Sequence, residues 1–483
     1  MPSASAPRSV DRRLRVASRI ALYGSLALAA ALAGLLLLLA GAPLVRELGE
    51  TWHETDFAAL EEVRLLQDYI RIDTSAATGD VAAGARFLAA RLEAAGLEPH
   101  LELLGTGDAN LWAIVEGESP GAVVLHHHID VTAAEHPERW PFPPFEGHIE
   151  GPWLFGRGAF DMKSIGVAQL LAVIDLARSG VRPRRSVILL ATSGEETGSE
   201  LGTQWVLREH PELVERFELV LTEGGVVEGR SRDEIKYWGT EFDQKRHATL
   251  VVCGASREVL EQVRRDLAEY GASEGRFYLV DEVREFLPTY ARTRDARELR
   301  RLGSPEALLR DPAAFSALPG YLKAMFRNEL HGLGVRERAA GGYELEVNVH
   351  LLPGLELADV QDELIPPWLF WGLETTLYAE PAAEHGSPLD HPVLALIEEL
   401  VRERHPTAIV GPIFLPWTAT DSRFFRAAGI PSYGFTPFLT LTTEALRVDQ
   451  TGERISLPDF VAGVELYREL LRRLAADRER QAE

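Results

Sequence analysis

The segment AVVLHHHID, residues 122–130, decides the fold of this chain. Its first four residues are all apolar, which is typical of a central strand that is buried on both faces. A second apolar run, SVILL, occupies residues 186–190, and residues from Ser164 to Arg178 between the two runs have helical spacing. A strand, a helix and a strand in this order predict a parallel or mixed sheet that is covered by helices.

Polar residues with metal-binding side chains follow these apolar runs. His128 and Asp130 close the first run, and the segments GRGAFD (156–161) and GEE (194–196) come later in the chain. Because open α/β sheets place their ligands at the ends of strands, we expect these side chains to converge. Imidazole and carboxylate ligands suit divalent metals, and one carboxylate can bridge two ions while another acts as a base. The pattern therefore predicts a two-metal hydrolase site.

Length and composition limit the classes of function. The chain has 483 residues, which favours two domains. Its formal net charge of −23 argues against binding of nucleic acid, because a phosphate-binding surface needs clustered Lys and Arg side chains. Cys253 is the only cysteine, so no intrachain disulfide can form. Its apolar neighbours in the sequence indicate a buried structural thiol and not a nucleophile.

A segment without charged residues extends from Ile20 to Val45. Since about 20 apolar residues are enough to cross a bilayer, residues 20–45 are predicted to be a transmembrane anchor. Five arginines and one acidic residue precede it, which predicts a cytoplasmic N-terminus over 1–19 and a single-pass membrane protein with an extracytoplasmic catalytic part. The alternative is a cleaved signal peptide, because residues 40–42 (Ala-Gly-Ala) resemble a small-x-small cleavage site.

The sequence pattern changes near Tyr237 and resumes near Pro381. Between these points, residues 247–253 are predicted to form a strand, and Ser256 is predicted to cap a helix. Residues 343–349 alternate between apolar and polar side chains, as a half-buried strand does. The middle of the chain therefore looks like a smaller unit of mixed helix and strand.

We predict an α/β fold in which a mixed-sheet catalytic domain is interrupted by an inserted domain. The first part of the catalytic domain is assigned to residues 51–237 and the second part to residues 381–483. The inserted, smaller α+β lid domain is assigned to residues 238–380. Within it, the arginine-rich stretch 281–330 has no obvious site chemistry and is predicted to be a helical, solvated surface insertion.

Several segments resemble motifs of the M20 family of metallopeptidases, which includes carboxypeptidase S and the membrane-anchored N-acyl amino acid amidases and synthases. The resemblance extends from about residue 55 to residue 475. The segments that carry it are HIDV (128–131), WPFPPF (140–145), GRGAFDMK (156–163), the glutamate pair at 195–196, TDSR (420–423) and YGF (433–435). The resemblance implies a metallohydrolase fold with a dinuclear metal centre.

The resemblance also implies a role for each matching residue. His128 would hold one metal, Glu196 would hold the other, and Asp161 would bridge both. Glu195 would be the general base that takes a proton from water and delivers it to the leaving amine. Asp130 would orient His128 through the second ring nitrogen. The implied cofactors are two divalent metal ions, Zn²⁺ first, with Mn²⁺ and Co²⁺ as alternatives.

Some positions depart from the family pattern. Glu223 is the candidate ligand, although in many members the residue one position earlier is the ligand. Asp449 stands where the family has its terminal His ligand, and it is either a working ligand or a remnant. His350 stands in place of an Arg that binds a substrate carboxylate, which leaves recognition of a free carboxylate open. His126 and His127 are not expected to be ligands.

These observations predict a metal-dependent hydrolase of amide bonds in small peptides or N-acyl amino acids. The alternative is a non-catalytic or weakened protein of the M20 fold that binds a ligand or partner. The expected partners are the substrate and, through the N-terminal helix, a membrane; the resemblance also allows a homodimer through the inserted domain. A serine hydrolase fits less well, because Thr192-Ser193-Gly194 lacks the Gly-x-Ser-x-Gly elbow.

Overall fold

The computed structural model describes residues 55–76, 79–105, 107–229, 231, 234–272, 276–355, 370–379, 383, 385–445 and 447–476. The predicted cytoplasmic segment 1–19 and the predicted anchor 20–45 lie outside these residues. Within the described ranges, no helix is long and apolar enough to span a bilayer.

The strands among the described residues are β1 (His100–Leu103), β2 (Ala109–Val115), β3 (Ser119–His128), β4 (His148–Glu150), β5 (Trp153–Phe155), β6 (Arg185–Thr192), β7 (Phe217–Thr222), β8 (Val226–Gly229), β9 (Ile235–Gln244), β10 (Arg246–Gly254), β11 (Glu329–Glu337), β12 (Tyr343–Leu351), β13 (Glu374–Ala379), β14 (Ile409–Leu415), β15 (Ser432–Gly434) and β16 (Arg454–Ser456).

The α-helices in the same described ranges are α1 (Glu61–Ile70), α2 (Val81–Ala94), α3 (Lys163–Ser179), α4 (Thr203–Glu209), α5 (Pro211–Val214), α6 (Arg257–Ala272), α7 (Asp281–Ala291), α8 (Ala296–Leu302), α9 (Pro305–Leu309), α10 (Pro312–Ser316), α11 (Gly320–Ala324), α12 (Pro392–Arg404), α13 (Ser422–Ala427), α14 (Thr442–Ala445) and α15 (Leu457–Ala476). One 3₁₀ turn, Glu195–Thr197, matters for the site.

The largest sheet contains nine of the described strands, in the order β1-β2-β6-β3-β7-β15-β9-β14, with β8 paired to β9. Its central strands β6, β3, β7 and β15 are parallel, whereas β1 and β2 are antiparallel to their neighbours. The predicted mixed α/β sheet is therefore confirmed. The two apolar runs that predicted it lie in β3 and β6, which pair with each other at the centre of the sheet.

Helices cover both faces of the large sheet. On one face, alternate residues of β3, such as Val124, pack with Val206 of α4, Leu213 of α5 and Phe425 of α13. On the other face, α3 contacts β3 and β6 and packs against α15. Full burial of one such apolar side chain stabilises the fold by roughly 1.5–3 kcal/mol. The central strands are thereby held rigidly, which fixes the positions of the residues at their ends.

A second sheet has four described strands in the order β11-β12-β10-β13, all antiparallel to their neighbours. One face of it packs against α6 through a separate apolar cluster that includes Leu250, Val347 and Leu260. Cys253, at the end of β10, is a free and only partly buried thiol. The fully buried thiol that its neighbours suggested is therefore not observed.

The chain enters the second sheet at Lys245, between β9 and β10. The predicted boundary at 237/238 falls inside β9, which belongs to the large sheet and pairs with β14. The described residues from Ala58 onward group into one compact unit, which includes both sheets. The lid as a separate domain, with the limits 238–380, therefore stays a prediction.

The expectation of a solvated insertion over 281–330 is wrong for α7. This helix packs against β14 of the large sheet. Its residues Val283, Phe286, Leu287 and Tyr290 are fully buried. They follow the i, i+3, i+4, i+7 spacing of an amphipathic helix, and this spacing outweighs the arginine content that suggested a solvated segment.

Candidate metal centre

Three parallel strands bring their carboxyl ends to one edge of the large sheet. In the register of β3 with β6, His128 lies opposite Thr192, and β3 pairs with β7 on its other side. The residues just after β6 include Glu195 and Glu196, and the residue just after β7 is Glu223. The side chains that the sequence predicted at strand ends therefore meet at the position where open α/β sheets bind ligands.

Three groups of side chains at this edge are close enough to hold a metal ion; two of them share Asp161, and the third is His128, Glu195 and Glu196. In each group, ligand atoms lie within 4.8 Å of one another. Of the two groups that share Asp161, the first is His128, Asp161 and Glu223, and the second is Asp161, Glu196 and Asp449. Asp161 belongs to both of these groups, which is the arrangement that a bridging carboxylate requires.

His128 is oriented so that one ring nitrogen faces the carboxylates. Its Nε2 lies 3.1 Å from Oδ1 of Asp161 and 3.4 Å from Oε1 of Glu223. Its Nδ1 lies 2.8 Å from the main-chain oxygen of Asp130, so Nδ1–H donates to this carbonyl. That hydrogen bond leaves the Nε2 lone pair free for a metal.

The carboxylate of Asp130 makes no hydrogen bond with His128. Its Oδ1 is 3.8 Å from Nδ1 of His128, which is too far for a hydrogen bond. Instead, its two oxygens accept the main-chain N–H groups of Glu195 and Glu196 at 3.2 and 3.1 Å. Asp130 therefore orients His128 through its main-chain oxygen, and its carboxylate fixes the turn that carries the two glutamates.

The electrostatics of the edge favour a bound cation. Burial raises the pKa of Glu196 to about 9 and that of Glu223 to about 8, and the charge of Asp161 adds to both shifts. Burial alone would lower the pKa of His128, but Glu223 and Asp161 outweigh it and raise this pKa well above its usual range. Buried carboxylates this close cannot all ionise without positive charge between them. Divalent ions would supply that charge, so this donor set fits them.

Glu195 stands beside the two groups. Its side chain is 11% exposed, and its Oε1 lies 3.8 Å from Nη1 of Arg423. Burial raises the pKa of Glu195 well above its usual range, and Glu223 and Asp421 act in the same direction. It is absent from both groups that share Asp161, although its carboxylate comes within 4.8 Å of ligand atoms of His128 and Glu196. This placement leaves Glu195 available for proton transfer.

Asp449 is held by two neighbours. Its Oδ1 accepts the hydroxyl of Thr132 at 2.6 Å and lies 3.4 Å from Nη1 of Arg157. Its backbone has a φ of 58°, in the left-handed region that few residues other than glycine adopt. This geometry places the carboxylate of Asp449 against Asp161 and Glu196.

A buried ion pair that sequence reasoning missed supports the same segment. Arg157 and Glu453 are 2.7 Å apart and almost fully buried. Oε1 of Glu453 also accepts the main-chain N–H groups of Phe160 and Asp161 at 2.8 and 3.2 Å. Arg157 lies in the GRGAFD segment, and Glu453 lies shortly after Asp449. Their residue types alone did not indicate a role for either.

The other two histidines of the triplet are core residues. His126 Nδ1 lies 2.9 Å from the hydroxyl of Thr222, and His127 Nδ1 lies 3.0 Å from Oε1 of Gln169. Burial lowers the pKa of His126 to about 4 and that of His127 to about 3. Neither belongs to a metal-ligand group found among the described residues. This agrees with the expectation that they are not ligands.

A cavity of about 440 Å³ opens onto the carboxylates. Its polar end is formed by the site residues, and its walls are largely apolar, with Val226, Val227 and Leu415 among the lining side chains. A larger groove of about 1060 Å³ between α3, α12 and α15 contains none of the predicted site residues. The smaller cavity is therefore the one that can place a substrate at the metal centre.

Two of the curated relatives of this chain match very different lengths of it. Succinyl-diaminopimelate desuccinylase of Leptothrix cholodnii is 40% identical over 130 residues, which make up 26% of this chain and 34% of that protein. The chain thus spans about a third of the length of that relative. Aminoacylase-1 of Sus scrofa is 23% identical over 429 residues, covering 86% of this chain and 95% of that protein.

Solved structures share the fold. Human carnosine dipeptidase 1 superimposes with a TM-score of 0.64 over 86% of this chain and 96% of that chain, at 14% sequence identity. At this identity, the likeness shows the fold alone. The sequence profile of peptidase family M20/M25/M40 matches residues 124–473, well over half of the chain, and this match confirms the resemblance seen in the motifs. The chain belongs to peptidase family M20/M25/M40.

Proposed function

We propose that this protein is a metal-dependent hydrolase of amide bonds in small peptides or N-acyl amino acids. The observation that carries this proposal is the presence of Asp161 in two ligand groups, with Glu195 beside them. The names of two relatives, a desuccinylase and an aminoacylase, point to the same class of bond.

Two divalent ions fit the donor set. His128, Asp161 and Glu223 would hold one ion, and Asp161, Glu196 and Asp449 would hold the other. Zinc is the first choice for a site with an imidazole, and the excess of oxygen ligands also suits manganese or cobalt. Bound divalent ions would act as Lewis acids toward the scissile carbonyl and would lower the pKa of water.

The proton transfers are assigned to Glu195. Its carboxylate takes a proton from the attacking water and later delivers this proton to the leaving amine, so the amide C–N bond breaks as the new C–O bond forms. Asp130 holds the Glu195–Glu196 turn through two main-chain N–H groups. No covalent intermediate between enzyme and substrate is needed. The apolar walls of the cavity, including Val226 and Leu415, would accommodate an apolar side chain or acyl chain.

A substrate panel tests this proposal. The protein is stripped with a chelator, reloaded with Zn²⁺, Mn²⁺ or Co²⁺, and offered dipeptides, N-acyl amino acids and a carboxylic ester. We expect hydrolysis of at least one class of amide, loss of that activity with the chelator, and its return with the metal. Binding of amides without turnover under every metal would support the alternative, a non-catalytic protein of the same fold.

For residues 20–45 we propose a membrane anchor, with residues 1–19 in the cytoplasm and the catalytic part outside it. The support is the uncharged span behind five arginines. In a cell fractionation, we expect the full chain in the membrane fraction even after a high-salt wash. A mature N-terminus at or near Pro43 would contradict the anchor and indicate a cleaved signal peptide. A homodimer through the second sheet likewise remains a proposal.

A further inference from the structure

The face of the second sheet that is turned away from α6 carries three histidines and a glutamate from three neighbouring strands. His350 in β12 lies opposite His247 in β10 on one side and opposite Glu329 in β11 on the other. His331 follows Glu329 by two residues, and the side chains of alternate strand residues share a face. We call His331, His350 and Glu329, with His247 next to them, the histidine cluster.

The side chains of the cluster are close enough to share one ion. Ligand atoms of Glu329, His331 and His350 all lie within 4.8 Å of one another. The ring centres of His331 and His350 are 4.8 Å apart, and those of His247 and His350 are 4.3 Å apart. None of these four residues belongs to the ligand groups at the strand ends of the large sheet. The cluster is therefore a separate feature of the molecule.

A buried ring nitrogen in the cluster lacks a partner. His350 is only 8% exposed, and its Nδ1 has no hydrogen-bond partner among the described residues. The buried Nε2 of His247 is also without one in the same part of the chain. A buried polar group without a partner costs free energy, so an occupant of the cluster would recover it. Burial also lowers the pKa of His350 to about 4, which keeps its ring in the neutral form that binds metals.

We propose that Glu329, His331 and His350 form an additional binding site for one divalent ion of the kind that prefers imidazole, such as zinc. Two imidazoles and one carboxylate are a common zinc ligand set. Glu329 already accepts Lys245 at 2.8 Å and Arg327 at 2.9 Å. The Nε of Arg327 also donates to Glu329, at 3.1 Å. A carboxylate offers about four lone-pair sites, so it can keep these three hydrogen bonds and still bind an ion.

The position of the site indicates what the ion would do. It would tie β11 to β12 at the end of the second sheet that adjoins Lys245, where the chain passes from the large sheet into the second one. Zinc bound only to the folded state would stabilise it by mass action. The site would therefore stiffen the base of the second sheet.

Metal counting on the full chain tests the site. The Asp161→Ala variant, which is impaired at the strand-end centre, is compared with the Asp161→Ala/His331→Ala double variant after dialysis against Zn²⁺. We expect the double variant to bind one zinc ion fewer per chain, and to lose the zinc-dependent rise in Tm that the single variant shows. His331 is exposed, so its replacement leaves the packing of the core intact.

Matched controls separate the metal site from other roles. His350→Gln in the Asp161→Ala background should also lose one zinc ion, whereas His100→Ala, at an exposed histidine elsewhere, should lose none. Equal zinc content in the single and double variants would overturn the proposal. A higher KM of His331→Ala in the otherwise wild-type chain, with unchanged zinc content, would also overturn it, because the cluster would then bind substrate and not metal.

Discussion

Replacement of Glu195 by Gln is expected to lower kcat by about 10²–10⁴-fold, the usual contribution of a general base. Glutamine has nearly the same shape as glutamate but cannot take up the proton of the attacking water. The main-chain N–H of residue 195 still donates to Asp130, so the turn should keep its position. Steady-state kinetics on the best amide of the panel measure the loss.

The metal content decides how the result is interpreted. Glu195 is outside both groups that share Asp161, so Glu195→Gln should retain as many ions as the wild type. Glu200→Gln, at an exposed glutamate a few residues later, is the matched control and should leave kcat unchanged. Turnover of Glu195→Gln close to that of the wild type would remove Glu195 from the mechanism. Loss of an ion would instead make Glu195 a ligand.

The sequence predicted the framework of the site because it is built from local patterns. The apolar runs in β3 and β6 are long enough to identify central strands, and parallel strands bring their carboxyl ends to one edge. His128 is the last residue of β3 and Glu196 comes shortly after β6, so their meeting could be expected from chain order alone. Asp161 and Asp449 lie on loops; the order of the motifs suggested that Asp161 joins the site, but only the resemblance to the M20 family suggested the place of Asp449.

What the sequence did not predict depends on contacts between distant residues. The Arg157–Glu453 pair joins residues 296 positions apart, and no periodicity connects them. The histidine cluster likewise comes from three strands whose pairing could not be deduced from spacing, although the individual strands β10 and β12 could. The contacts of the Asp130 carboxylate with the main-chain N–H groups of Glu195 and Glu196 were not predicted either, because the sequence does not reveal which group of a residue faces its neighbour.

Replacement of Asp161 by Ala is expected to remove both ions and to reduce kcat/KM by on the order of a thousandfold or more. Two divalent ions supply several kcal/mol of transition-state stabilisation, and each 1.4 kcal/mol corresponds to about a tenfold change in rate. One side chain is expected to cost two ions because Asp161 is the residue shared by the two groups that are assigned to the ions. Metal analysis and kinetics on the purified variant measure both losses.

The Asp161→Ala variant is expected to keep its fold. In the metal-free protein, the charge of Asp161 raises the pKa of Glu196 and of Glu223, but it also pairs with His128 at 3.1 Å, so its removal relieves one interaction and breaks another. We therefore expect a Tm for metal-free Asp161→Ala that is close to that of the metal-free wild type. A large fall in Tm would mean that loss of metal follows from unfolding and not from loss of the bridge.

Variants of ligands that belong to only one of the two groups should lose fewer ions than Asp161→Ala does. Glu223→Ala and Asp449→Ala should each cost one ion per chain, because each of these residues belongs to only one of the two groups that share Asp161. If Asp449 is a remnant, Asp449→Ala will keep both ions and full activity, and Asp449→His will bind metal more tightly than the wild type. If it is a working ligand, its oxygen shifts the preference of that position from zinc toward manganese, and Asp449→His should reverse this preference. If the Asp161→Ala variant retains both ions, the assignment of Asp161 as a bridging ligand is refuted, whatever the outcome at Asp449.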